Sequence, residues 1–224
     1  MPLQSAVVIG ATGLTGGYVV NELLNDETFG EVTILARREF GLRHPKLKVK
    51  AVDFNDMNDY KNKLGKGDTI FCCIGTTQKK VKGDKAAYRK VDFDIVVNAA
   101  KLGKQAGFET FLLVSSIGAN TKAGIFYLKL KGEVEDAVTA VGLNTIHIFR
   151  PSMLLGKRNE RRFAEGLMQG IMKGISFLLA GRLRKYKSIE ALTVARAMVA
   201  AGKNNDAGNH IYMYDEILKL AGNS

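Results

Sequence analysis

Tryptophan is absent from this chain of 224 residues, and proline, histidine and cysteine number only three, three and two. Each scarcity removes a class of protein. The two cysteines, Cys72 and Cys73, are adjacent in the apolar run "TIFCCIG", where buried free thiols are expected rather than a disulfide framework, and a reducing compartment fits. His44, His147 and His210 are scattered without the spacing of a metal site, and His147, alternating with apolar residues in "TIHIF", reads as structural. No Gly-x-Ser-x-Gly elbow surrounds Ser115 or Ser116, so serine-hydrolase chemistry has no support. No stretch reaches the roughly 18 to 20 consecutive apolar residues of a membrane span, and "MPLQSAVVIG" lacks the charged start and cleavage site of a secretory signal. These absences lead to the expectation of a soluble, cytoplasmic protein.

Positive charge is in excess: 33 Lys and Arg against 22 Asp and Glu, a formal net charge of +11. It is clustered at "KKVK" (79–82), "KRNERR" (157–162) and "RLRKYK" (182–187). Such a surface attracts polyanions or anionic small molecules. None of the clusters is interleaved with the repeated aromatics of an RNA-binding sheet, so solvated faces are expected and no specific nucleic-acid partner.

Short apolar runs alternate with helical patterns. Strand-like runs occur at "AVVIG", "EVTILA", "KLKVKAVDF", "DTIFCCIG", "TFLLVSS" and "NTIHIF", most of them separated by segments long enough for crossover helices. The rhythm predicts an α/β fold, a doubly wound parallel sheet of Rossmann type in one domain. Lys85 to Gly107 reads as one long helix stopped by glycine; "GIFYLKLKGEVEDAVTAVG" reads as another, with Phe126, Leu130 and Val134 on one stripe. Residues 1–150 form the expected dinucleotide-binding core, and 151–224 the substrate-side elements and closing helices. In the latter, the methionine-rich "GLMQGIMKGISFLLAG" fits plain core, a pocket wall or a membrane-surface helix; "SIEALTVARAMVAAG" reads as a closing helix and "NHIYMY" as a short strand.

The stretch "AVVIGATGLTGGYVV" (6–20) runs from a strand through Gly10, Gly13 and Gly16 into a helix. In a doubly wound sheet this first turn is where a diphosphate meets a helix amino terminus. Gly10 permits the reversal, Gly13 clears the way to backbone amides, and Gly16 allows close helix–strand packing, with Thr12 and Leu14 inside the same turn. Simple turn chemistry is the alternative. The second strand ends in "TILARRE", so Arg37 and Arg38 stand where an NAD-selective site carries an acid. Guanidinium groups suit a 2′-phosphate, which favours NADP with NAD as second candidate; two exposed arginines near Glu39 are the plainer reading. Asp53, followed by Phe54, ends the third strand and suits either the adenine amino group or a turn cap.

Tyr127 lies eleven residues after Ser116, and Lys131 four further along the same helix face. An ammonium beside a phenol favours the phenolate and makes a general acid–base, while a serine hydroxyl at the end of the fifth strand holds a carbonyl or alcohol oxygen. The bland reading is a solvated face in which Lys131 pairs with Glu135.

With the glycine turn, "FCCIGTT", "SSIGAN", "FYLKLKGEVE" and "FRPSMLLGKR" in order along nearly the whole chain, the sequence resembles an atypical short-chain dehydrogenase/reductase, and more narrowly the Tat-interacting-protein group of oxidoreductases. The resemblance implies hydride transfer between NADP and a small carbonyl or alcohol substrate. By it Gly10, Gly13, Gly16, Arg37 and Arg38 bind the cofactor, Gly75, Thr76 and Thr77 line it, and Pro151 and Ser152 meet its nicotinamide end. Tyr127 and Lys131 are catalytic with Ser116, or Ser115 in another register. Extended relatives often carry an asparagine early in the long helix, where this chain has Asp92; Asn98 is nearly two turns away. The tail after Pro151 is shorter than the substrate domain of sugar-nucleotide epimerases, which argues against a large nucleotide-sugar substrate. A cofactor sensor binding a protein partner is the rival reading, and a homodimer is left open.

Overall fold

The computed structural model describes residues 3–39, 41–78, 81–156, 181–204 and 206–222. Strand β1 (Gln4–Ile9) shows why the sheet is sandwiched. Its successive residues point to opposite faces, and both faces are apolar: Val7 and Ile9 enter one core, Ala6 and Val8 the other. After it come α1 (Leu14–Asn25), β2 (Phe29–Ala36), β3 (Leu47–Ala51), α2 (Met57–Leu64) and β4 (Thr69–Cys72). A long helical segment follows: α3 (Lys85–Arg89), a π-turn (Lys90–Asp94) and α4 (Ile95–Ala106). The remainder is β5 (Thr110–Val114), α5 (Phe126–Val141), β6 (Thr145–Phe149), β7 (Leu154–Leu155), a 3-10 turn (Gly181–Tyr186), β8 (Ile189–Glu190), α6 (Ala191–Gly202), β9 (Gly208–Tyr212) and α7 (Tyr214–Leu220).

The main sheet has seven parallel strands in the order β3-β2-β1-β4-β5-β6-β9, so the chain reverses its winding between β1 and β4. One face is covered by α2, α4 and α5 through Tyr60, Leu64, Val96, Ala99, Val134 and Val138. The other is covered by α1, α6 and α7 through Val19, Leu23, Val194, Met198 and Ile217. This is the expected Rossmann-type α/β fold.

The helix expected over Lys85–Gly107 forms, and Gly107 ends it in the left-handed region at φ 88°. It is interrupted: the Ile95 amide bonds back to the Lys90 carbonyl, a π-type bond that puts an extra residue into the turn. The short α2 was not foreseen; Asp56 starts it by accepting the Asn58 and Asp59 amides. Strand pairing in "KLKVKAVDF" and "DTIFCCIG" is confined to their central residues. The basic cluster at 157–162 and most of the methionine-rich stretch lie outside the described residues. Among the described residues no helix is long and apolar enough to cross a membrane.

Candidate active site

The β1–α1 turn is pressed against β4 at the point where the winding reverses. Gly10 has φ 92°, and a Cβ there would lie 2.6 Å from the Cys73 carbonyl oxygen. A Cβ on Gly13 would come to 3.0 Å from the Gly10 oxygen, and one on Gly16 would collide with that same carbonyl. Gly10 and Gly16 are therefore required by contact, and Gly13 sits where a side chain would be tight. Gly13 begins α1 with no side-chain cap, so the helix's first-turn amides and its dipole are available to an anion. The cradle fits a dinucleotide diphosphate. Thr12 is exposed at its rim, and Leu14 packs close to Gly156 just beyond β7.

Arg37 and Arg38 are exposed directly after β2. The loop beyond them borders an open cavity of about 530 Å³ lined by Glu39, Leu42, Arg43 and His44 among others. Asp53 is engaged in a turn: its carboxylate accepts the Asn55 amide and side-chain nitrogen, both at 2.9 Å. Phe54 packs edge-on against Tyr60 with centroids 4.8 Å apart.

Helix α5 carries Tyr127 in its first turn and Lys131 one turn on. The Lys131 ammonium lies 6.0 Å from the Tyr127 ring centroid. Close packing of α5 on the loop after β5 is made possible by Gly132, where a Cβ would come within 2.5 Å of the Thr121 nitrogen. The pairing of Lys131 with Glu135 does not form. Lys131 is buried and its ammonium stands 3.3 Å from Asp92 Oδ1, in the π-turn of the neighbouring helix. Asp92 is wholly buried, and its Oδ2 accepts the Thr76 amide at 2.8 Å. Burial by itself would loosen the Lys131 proton; the Asp92 carboxylate, aided by Tyr127 and Cys72, outweighs that and holds it above its ordinary value. Burial pushes Asp92 upward, while Lys131 and the Thr76 amide pull it back.

Two further groups complete this pocket. Tyr88 donates to the Thr76 carbonyl at 3.0 Å and is raised by its burial and by Asp92 and Tyr127. Cys72 is pushed up to about 12 by burial, which makes it an inert thiol rather than a nucleophile. Cys72 and Cys73 are free thiols, as expected.

The two serines after β5 are not equivalent. Ser115 is buried and its hydroxyl donates to Glu135, whose carboxylate also receives the Arg150 guanidinium. Ser116 is half-buried, with only a local contact to the Ile117 carbonyl at 3.3 Å. Pro151 is buried and its carbonyl accepts the Ile117 amide at 2.9 Å. Ser152 donates to the Lys187 carbonyl, tying the chain after β6 to the segment before β8. Gly75 is exposed, and Thr76 and Thr77 are half-buried, in the loop after β4. Sequence reasoning noted Asp92 only as standing where extended relatives carry an asparagine, and foresaw neither its pairing with Lys131 nor the Glu135–Arg150 pair.

A Rossmann sheet with a glycine-built anion cradle at its reversal point defines a dinucleotide-binding protein. The profile of the NAD(P)H-binding family matches residues 10–204, and the chain belongs to that family. Among curated proteins it resembles HTATIP2 and FMP52. Protein HTATIP2 of Rattus norvegicus is 32% identical over 202 residues, covering 89% of this chain and 81% of its own. Protein FMP52, mitochondrial, of Coccidioides immitis is 30% identical, covering 89% of this chain and 86% of its own. The solved structure of MoeE5 in complex with UDP-glucose and NAD shares the fold at TM-score 0.71 and 16% identity, over 97% of this chain and 81% of that one.

The cytoplasmic expectation is corrected by these relatives. Several fungal proteins that align over most of this chain are named as mitochondrial. Composition and the lengths of apolar runs do not distinguish cytoplasm from organelle.

Proposed function

We propose that this chain is an NADP-dependent oxidoreductase exchanging hydride with a small carbonyl or alcohol compound. The observation that carries the reading is a buried Lys131, paired with Asp92 and 6.0 Å from the Tyr127 ring centroid, at the same carboxyl end of the parallel strands as the glycine cradle. Gly10, Gly13 and Gly16 would receive the diphosphate with the amides around Thr12 and Leu14, and Arg37 and Arg38 the 2′-phosphate. Asp53 and Phe54 would border the adenine, Gly75, Thr76 and Thr77 the middle of the cofactor, and Pro151 and Ser152 its far end. When bound, the nicotinamide supplies or takes up the hydride.

On the protein side, the Ser116 hydroxyl hydrogen-bonds the substrate oxygen, because Ser115 is committed to Glu135. Tyr127 donates its phenolic proton to that oxygen during reduction and recovers it during oxidation. The Lys131 ammonium stabilises the phenolate left behind. Residues 1–150 supply the cofactor side, and residues 151–224 close the substrate side.

Tyr127→Phe tests the reading. NADPH affinity, measured by calorimetry, is expected to stay within about twofold, while turnover of a carbonyl panel falls by on the order of 100-fold or more. Unchanged turnover overturns the role of Tyr127. Tight NADPH binding by the unaltered protein with no turnover across the panel supports the sensor reading instead.

A further inference from the structure

Asp92 sits in register with the inward stripe of the long helical segment, on the same face as the buried Tyr88, Ile95, Val96 and Ala99, so helical periodicity leads one to expect an apolar residue in its place. It is instead a carboxylate, fully buried in the π-turn at Lys90–Asp94, with Lys131 on one oxygen and the Thr76 amide on the other. Its two contacts come from different elements, α5 and the loop after β4. The same loop is gripped from the other side by the Tyr88 hydroxyl on the Thr76 carbonyl.

We propose that Asp92 is a positioning residue of the site, whose carboxylate joins the Lys131 ammonium to the Thr76 amide and thereby fixes the lysine and the 75–77 loop relative to each other. This rests on the oxidoreductase reading for its consequence in turnover, but the joining itself does not depend on it. The charge of Asp92 matters as much as its shape. An ammonium this deeply buried favours its neutral form unless a negative charge faces it. The titratable groups facing the pair are Cys72 from β4, Tyr88 from α3 and Tyr127 from α5; burial raises Cys72 and Tyr88, so neither thiol nor phenol replaces the carboxylate near neutral pH. Asp92 therefore keeps Lys131 charged, and a charged Lys131 is what the acid–base chemistry of Tyr127 requires.

The test compares Asp92→Asn, which preserves shape and removes charge, with Asp92→Glu, which preserves charge and alters shape. The first readout needs neither cofactor nor turnover: the ε-carbon resonance of Lys131 in protein labelled with 13C-lysine, assigned by its loss in Lys131→Met, followed against pH. In the unaltered protein and in Asp92→Glu the ammonium is expected to persist into the alkaline range. In Asp92→Asn it is expected to titrate at least about one unit lower. The second readout is NADPH affinity, expected to weaken about three- to tenfold in Asp92→Asn as the 75–77 loop loosens. The third is the alkaline limb of kcat/KM, expected to move to lower pH in step with the lysine.

A Lys131 titration indistinguishable between the unaltered protein and Asp92→Asn, with both folded by melting temperature, overturns the proposal. So does a ranking in which Asp92→Asn behaves as the unaltered protein and Asp92→Glu does not, since that is the signature of packing alone. If Asp92→Asn does not fold, Asp92→Glu decides: a lysine titrating early despite a retained carboxylate sinks the idea, and a late titration supports it. Absence of turnover in the unaltered protein refutes the oxidoreductase reading and leaves the lysine titration and NADPH affinity to judge Asp92 by themselves.

Discussion

Glu135 holds Arg150 along one edge of the guanidinium: Nε lies 3.1 and 3.2 Å from the two carboxylate oxygens, and Nη2 lies 2.5 Å from Oε2. The pair clamps α5 to the end of β6, and Ser115 from the end of β5 joins it. Three elements that carry or flank Ser116, Tyr127 and Pro151 thus meet on one buried carboxylate.

Removing that carboxylate leaves Arg150 without its counter-charge and Ser115 without its acceptor. Glu135→Ala is expected to cost about 3 kcal/mol, a fall in melting temperature on the order of 10 °C for a chain of this size. Glu135→Gln keeps an acceptor for Ser115 and is expected to lose less. Thermal melts of the two variants check this, and an Ala variant as stable as the unaltered protein would show the clamp to be idle. Ser115→Ala is expected to lower stability modestly, whereas Ser116→Ala is expected to spare stability and impair turnover.

Two adjacent glycines in α1 should respond in opposite directions. A Cβ on Gly16 collides with the Gly10 carbonyl, which is backbone and cannot move without reshaping the cradle. Gly16→Ala is expected to destabilise by about 1–3 kcal/mol and to abolish measurable dinucleotide binding. On Gly17 the same carbon meets only the Ala11 carbonyl, at 3.5 Å. Gly17→Ala is then expected to stabilise the helix by about 0.5–1 kcal/mol and leave binding intact. Denaturant titration with parallel calorimetry separates the two outcomes.

Cofactor choice is tested at Arg38. The guanidinium groups of Arg37 and Arg38 are exposed after β2 and free of any burial cost. A charge-assisted contact to a 2′-phosphate contributes about 1.5–3 kcal/mol. Arg38→Asp is therefore expected to weaken NADPH on the order of 10- to 100-fold while NADH changes little. Equal losses for both coenzymes would remove the argument for phosphate selectivity.

The fold was legible because its signals are local. Alternating faces in β1 and apolar runs spaced by helix-length segments specify a sandwiched parallel sheet, and the glycine turn marks its reversal point. The candidate site was legible as far as spacing along one element reaches: Tyr127 and Lys131, four positions apart, share a helix face. The partners of Lys131 and Glu135 were not. Both lie on α5 within one turn of each other, and local chemistry pairs them. Tertiary contacts draw them apart, Lys131 to Asp92 on the neighbouring helical segment and Glu135 to Arg150 after β6. Asp92 lies on the buried stripe of its helical segment, where the pattern leads one to expect an apolar residue, and its partner Lys131 is on another helix far along the chain. The difference between the two serines was hidden in the same way, because Glu135 engages Ser115 from twenty residues away.

His147 links stability to pH on β6, next to the edge strand β9. It is buried, its Nδ1 is 2.9 Å from the Tyr212 hydroxyl, and its Nε2 has no hydrogen-bond partner among the described residues. Burial, and then the neighbouring His210, push it down from 6.5 to about 4. Above the unfolded value near 6.5 the ring is neutral in both states and its contribution is fully present. As pH falls below that value the unfolded chain binds a proton that the native state refuses, so stability declines until about 4, where the native ring also charges. The loss across this window is on the order of 3 kcal/mol. Denaturant midpoints for the unaltered protein are expected to drop between neutral pH and the acid end of the window, and His147→Phe, which has no proton to take up, to drop by less. Parallel declines in the two proteins would show that carboxylates elsewhere, and not His147, govern the acid limb.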